Sequence, residues 1–168
     1  TSPNGSEKWQ VGKNYNITWT STNVSNVKLE YSTDNGTGWN TIVSSVSTTP
    51  ASYSWTIPNT VSTNCLIRIS DISNSNITDQ SSANFSIVSV VLTSPNGGEG
   101  WIEGSTHAIT WSSSNITNVK LDYSTNGIAW TTIAASTAAA AGTYNWTIPS
   151  VSASTYRVRI SDASDATI

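Results

Sequence analysis

Asn26-Val27-Lys28-Leu29-Glu30-Tyr31-Ser32-Thr33-Asp34-Asn35-Gly36 reads as one strand and the turn that ends it. Val27, Leu29 and Tyr31 are apolar at every second place, with Lys28 and Glu30 between them and outward. That is the period of a strand with one face on a core. The Asn-Gly pair is what hairpin turns favour, because their central residues need positive φ. The same stretch returns as Asn118-Val119-Lys120-Leu121-Asp122-Tyr123-Ser124-Thr125-Asn126-Gly127, one residue shorter in the turn. A period of about 90 residues is a whole small domain, so the chain is a tandem array rather than a solenoid.

Working outward, each flanking segment also occurs twice. Tyr15-Asn16-Ile17-Thr18-Trp19 matches His107-Ala108-Ile109-Thr110-Trp111, apolar at odd positions in the first copy. Trp39-Asn40-Thr41-Ile42 matches Trp130-Thr131-Thr132-Ile133. Tyr53, Trp55 and Ile57 before Pro58 match Tyr144, Trp146 and Ile148 before Pro149. Cys65, Ile67 and Ile69 match Tyr156, Val158 and Ile160, and Phe85 with Ile87 makes a last strand in the first copy. About seven short strands per copy, with turns every 8 to 12 residues, predict an all-β protein of two tandem immunoglobulin-like β-sandwiches. The expected domains are residues 1–89 and 90–168. Ile168 aligns with Ile77, so nothing matches Asn84-Phe85-Ser86-Ile87, and the second sandwich is expected to lack its last strand. Two explanations stand: a slice from a longer array, or a neighbour supplying the strand by β-strand addition. Ser86–Leu92 joins the copies with neither Gly nor Pro, which predicts a continuous strand, limited hinge motion and an extended rod.

Composition narrows the function. Charged residues are 10% of the 168, the net charge is −3, and no basic patch exists, so nucleic acid is not an expected partner. Ser and Thr make up about a third of the chain, yet eight Trp and six Tyr in alternating runs argue for packed cores over disorder. No stretch is long and apolar enough to span a bilayer; the sequence starts inside the repeat pattern at Thr1 with no signal peptide in it, which leaves open a targeting segment removed or lying upstream. Low charge with abundant Ser, Thr and Asn places the protein outside the cell. Cys65 is the single cysteine and is expected to be a small buried hydrophobe.

The shared motif runs Pro-Asn-Gly-x-Glu-x-Trp, Ile-Thr-Trp, Asn-Val-Lys-Leu, Tyr-Ser-Thr, Asn-Gly, Trp-x-x-Ile, Tyr-x-Trp-x-Ile-Pro, Arg-Ile-Ser-Asp. It resembles the Ig-like domain family named after yeast proteins of cell-wall β-1,6-glucan assembly, also labelled Ser-Thr-rich and glycosylphosphatidylinositol-anchored. Similar modules occur as tandem repeats in large secreted or surface proteins of bacteria and archaea. The resemblance covers both copies nearly end to end. It implies an Ig-like fold and a cell-envelope setting, and no defined chemistry.

Residue by residue, catalysis finds little support. His107 is the one histidine and aligns with Tyr15, so no Ser-His-Asp or zinc set can repeat, and no cofactor is expected. Asp71, Asp79, Asp162 and Asp165 fall in two matching oxygen-rich loops. They are a weak calcium candidate beside the plainer reading as Asx turns. Trp19, Trp55, Trp111 and Trp146 keep the inward register and are expected in the cores. Trp9, Trp39, Trp101 and Trp130 lie beside turns, where they either cap the cores or offer a flat face to a sugar ring. Sequons at Asn16, Asn23, Asn76, Asn115 and Asn145 are candidate glycosylation sites. The expected role is a non-catalytic rigid spacer in a long cell-surface, cell-wall or filament protein. Its partners would be neighbouring repeats, copies of itself or extracellular polysaccharide. The alternatives are a carbohydrate-binding module of a secreted enzyme, or a filament subunit joined by strand addition.

Overall fold

The computed structural model describes residues 2–151, 153 and 155–168; Thr1 of the opening motif lies outside the described residues. The fold is all-β and Ig-like, with one short 3-10 turn, Ala139–Ala141. The chain divides into two compact units, Thr1–Val88 and Ser89–Ile168.

Unit 1 contains β1 (Lys8–Gln10), β2 (Asn14–Thr18), β3 (Asn26–Ser32), β4 (Asn40–Ser47), β5 (Ser52–Thr56), β6 (Ser62–Asp71) and β7 (Thr78–Gln80). The next strand, β8 (Phe85–Ser94), gives its first four residues to this unit. β2 and β5 pair antiparallel as one sheet. The other sheet has β3 between β4 and β6, with β7 and the start of β8 both on β6. β1 runs parallel to β8, with Trp9 opposite Ile87. The alternation of β3 works as expected: Val27 and Leu29 are buried against Ile17, Trp19, Trp55, Ile57 and Cys65, and Phe85 and Ile87 close the core from β8. Burial of these side chains supplies the driving force, about 1.5–3 kcal/mol for each large one.

Unit 2 takes the last six residues of β8 and adds β9 (Thr106–Ser114), β10 (Asn118–Ser124), β11 (Thr131–Ala138), β12 (Thr143–Thr147) and β13 (Arg157–Asp162). β9 lies between β8 and β12, and β10 lies between β11 and β13. Ile109, Val119 and Leu121 are fully buried, with Trp111, Trp146 and Ile148 beside them. The same β-bulges break the β3–β4 and β10–β11 ladders on either side of Leu29 and Leu121. The repeat therefore extends to backbone irregularity, as expected of bulges that aim particular side chains.

Two readings need correction. Glu30 and Asp122 occupy outward strand positions, but they are 6% and 1% exposed, with a lysine of their own strand and an arginine of the neighbouring strand closing over each. Asp79 is not in a loop: it lies on β7, opposite Ile69 of β6.

Candidate functional site

The outer face of β3 and β6 carries an arrangement that both units build from the same motif residues. Strand register sets Glu30 opposite Arg68, and Asp122 opposite Arg159. Arg68 donates from Nε (3.0 Å) and Nη2 (2.7 Å) to Glu30 Oε2, while Lys28 Nζ lies 2.6 Å from Oε1. In unit 2 Arg159 Nε and Lys120 Nζ each sit 3.1 Å from the Asp122 oxygens, and Thr132 Oγ1 donates at 2.9 Å. Each guanidinium carbon lies over a tryptophan ring, that of Arg68 4.2 Å from the Trp39 ring centre and that of Arg159 4.4 Å from the Trp130 ring centre. Burial opposes the charge on Glu30, but hydrogen bonds from Lys28 and Arg68 outweigh it and hold the carboxyl below its ordinary range. Asp122 is also held low: burial again opposes the charge, and Thr132, Lys120 and Arg159 overcome it. Beside the unit 1 stack, Lys28, Arg68, Ser44, Ser70 and Thr78 line a polar groove of about 530 Å³.

The four turn-side tryptophans do not share one environment. Trp9 is 5% exposed, stacked on Tyr15 at 5.1 Å and packed against Trp55 and Phe85. It belongs to the core, which corrects its reading as a surface platform. The cause is β1, whose parallel pairing with β8 draws Trp9 beneath the last strand of the unit. Trp39 and Trp130 are half-buried, with one face under an arginine. Trp101 is half-buried, stacks on His107 at 4.6 Å, and meets Trp146 edge-on at 6.3 Å. It lines a cleft of about 730 Å³ together with Leu92, Trp130, Trp146, Tyr156 and Val158. Trp19, Trp55, Trp111 and Trp146 are buried, each 5–7% exposed.

Most of the remaining motif residues build turns. Glu7 accepts the N–H groups of Asn4 (2.8 Å) and Gly5 (2.7 Å), and Glu99 those of Asn96 (2.7 Å) and Gly97 (2.8 Å). This explains the Pro-Asn-Gly-x-Glu spacing: the carboxylate clamps a turn whose glycine holds φ of 133° or 112°. Backbone N–H bonds, that of Asn96 foremost, hold the Glu99 carboxyl below its usual range. Asp71 and Asp162 each accept a backbone N–H (2.8 Å) and a hydroxyl (2.7 Å) from Ser73 and Ser164. Asp165 does the same for Thr167. Among the described residues no three His, Cys, Asp or Glu side chains gather as a metal site needs.

Cys65 is fully buried, and burial pushes its thiol up. Tyr156, its counterpart, is half-buried and donates its hydroxyl to the Val151 carbonyl. His107 is half-buried, with Nε2 2.8 Å from Ser105 Oγ. Asn16, Asn23, Asn76, Asn115 and Asn145 are exposed. The arginine lids and the glutamate clamps escaped sequence reading, although Glu7/Glu99 and Arg68/Arg159 are among the few charged residues at matched positions of both copies.

No curated protein and no solved structure matches the chain. A family model described as the Kre9/KNH-like N-terminal Ig-like domain matches residues 2–87, the whole of unit 1 apart from its ends. The chain therefore belongs to the Kre9/KNH-like Ig-like domain family.

Proposed function

We propose that the protein is a non-catalytic extracellular module of a long cell-surface, cell-wall or filament protein, and that it acts as a spacer. One observation carries this reading. The carboxylates Glu7/Glu99, Glu30/Asp122 and Asp71/Asp162 and the arginines Arg68/Arg159, which recur in both units, are taken up inside each unit, in turn clamps, Asx turns and ion pairs across strands. Selection of such residues serves a framework, whereas a catalytic site would leave a repeated acid, base or nucleophile aimed at open space. The family supports a cell-wall setting, and the exposed sequons would suit glycan attachment there. The spacer role rests on β8, which serves both units without an intervening loop. Backbone ¹⁵N relaxation tests it: a spacer gives both units one rotational correlation time, and two separate, shorter times refute it.

A second reading is carbohydrate binding on the Trp39–Arg68 face. It is favoured by a half-exposed indole under the Arg68 guanidinium, which itself lines a groove with the hydroxyl side chains of Ser44, Ser70 and Thr78. Titration with soluble β-1,6-glucan should then change tryptophan fluorescence, and Trp39→Ala should abolish the change. An unchanged spectrum at millimolar sugar rejects it.

A further inference from the structure

The hairpin turn after Ser124 surrounds one carboxamide with donors. Asn126 Oδ1 accepts Ile128 N–H and Ala129 N–H, each at 2.9 Å, and Ser124 Oγ–H at 3.2 Å. Donors on every side identify this atom as the oxygen of the amide. Ser124 Oγ in turn accepts Gly127 N–H at 2.8 Å. One hydroxyl therefore links the backbone nitrogen of Gly127 to the carboxamide oxygen of the residue before it. Ser124 is 2% exposed, while Asn126 is exposed. Arg157 stands opposite Ser124 in the β10–β13 ladder, and a methyl group built on Gly127 would lie 3.1 Å from its Nη1. Gly127 holds φ of 75° and has no side chain to screen its nitrogen.

Unit 1 arranges the matching turn differently. Its Asn-Gly pair, Asn35-Gly36, comes one residue later because the turn is longer. Gly36 N–H reaches Ser32 Oγ at 2.8 Å, but Ser32 gives its own proton to Asp34, at 2.7 Å. Among the described residues no donor meets the Asn35 carboxamide. Leu66 takes the place of Arg157, opposite Ser32. Asp34 takes the place of Asn126: its Oδ1 accepts Gly38 N–H at 2.8 Å, as Asn126 Oδ1 accepts that of Ala129.

We propose that Asn126 is a self-modification site, at which the folded turn converts the asparagine to aspartate or isoaspartate through a cyclic imide. Gly127 N attacks Asn126 Cγ. Its proton passes to Ser124 Oγ, and the Ser124 proton passes to Asn126 Oδ1. The Cγ–Nδ2 bond then breaks as the carbonyl re-forms, and ammonia leaves with the proton that Oδ1 held. Water adds to either imide carbonyl and opens the ring, which gives aspartate or isoaspartate. The N–H groups of Ile128 and Ala129 stabilise the charge that grows on Oδ1. Ser124 carries the proton, and the Arg157 guanidinium favours its loss from the Gly127 nitrogen. The aspartate product has a counterpart in unit 1, where Asp34 already fills the same place in the turn, so the fold accepts the new charge.

The test is incubation of the 168-residue protein at neutral pH, native and in urea, followed by mass spectrometry of tryptic peptides 29–68 and 121–157, which carry Asn35 and Asn126 separately. Asn126 should convert about tenfold faster in the native protein than in the unfolded one, because only the folded turn assembles the proton path and the donors. Asn35 should convert no faster native than unfolded. Ser124→Ala should slow native conversion of Asn126 by about tenfold and leave its rate in urea unchanged. Arg157→Leu, which copies unit 1, should slow it by a smaller factor. Conversion of Asn126 as fast in urea as in the native protein overturns the proposal, and this comparison needs no variant. So does a folded Ser124→Ala protein that converts at the parental rate, or an equal native acceleration at Asn35.

Discussion

Arg68 joins Glu30 to Trp39: its guanidinium donates twice to Glu30 Oε2, at 2.7 and 3.0 Å, while its central carbon lies over the indole, 4.2 Å from the ring centre. The indole covers one side of the guanidinium, and the ion pair anchors the guanidinium over the ring. Arg159, Asp122 and Trp130 repeat the relationship in unit 2.

If the stack works as one device, its members are energetically coupled. Trp39→Ala is expected to destabilise unit 1 by about 1–2 kcal/mol, and Arg68→Lys by about 1 kcal/mol, since lysine has neither the fork nor the flat face. The double variant should cost less than the two single costs added, by about 0.5–1 kcal/mol. Urea unfolding of the four proteins measures this, and strict additivity would show that ring and carboxylate act separately.

The same stack predicts an acid limit. Glu30 and Asp122 have folded pKa values below their ordinary ones, so the folded protein binds their protons less readily than the unfolded chain. Their stabilisation is complete above the usual carboxylate pKa of about 4 and is lost as pH falls through the lower folded values. The melting temperature should therefore fall as pH drops below about 4. A Glu30→Gln, Asp122→Asn protein should start lower at pH 7 and lose less on acidification. A parallel decline in both proteins would assign acid sensitivity elsewhere.

How far the sequence could be read depended on the kind of pattern. Alternation at Val27-Lys28-Leu29 and Tyr53-Ser54-Trp55 is a local signal with a fixed period, and duplication lets each copy check the other, so strands and core tryptophans were legible. Burial of Glu30 was not, because it depends on which residue of β6 lies opposite, and register is a property of two strands. Trp9 looked like a turn residue because the parallel partner that buries it, β8, lies far along the chain. The unequal surroundings of Trp9 and Trp101 were hidden for the same reason: the two stretches are nearly identical, and the difference lies in what covers them.

Cys65 should be inert in the folded protein. It is fully enclosed, its sulfur lies 3.5 Å from the Ser62 carbonyl, and burial raises its pKa, so little thiolate is present at neutral pH. A thiol reagent such as dithionitrobenzoate should react more than a hundredfold more slowly with the native chain than with the urea-unfolded one. Comparable rates would mean that the start of β6 opens readily.

Trp19 and Trp111 occupy matching places, yet their indole nitrogens are treated differently. Trp111 Nε1 donates to the Ala139 carbonyl at 2.8 Å, through the 3-10 turn that Gly142 closes with φ of 65°. Trp19 Nε1 is buried with no hydrogen-bond partner. An unmade bond at a buried donor costs about 1–3 kcal/mol, so Trp19→Phe removes a penalty along with some packing, while Trp111→Phe removes a bond as well as packing. Both substitutions shrink the ring and cost cavity energy of similar size. Trp111→Phe should therefore destabilise its unit by about 1–2 kcal/mol more than Trp19→Phe destabilises its own. Urea unfolding of the two variants against the parent decides the matter. Equal losses would mean that Trp19 Nε1 finds a partner in solution, such as a water molecule reaching the ring from the side of Ala51, whose carbonyl accepts the Trp19 backbone N–H.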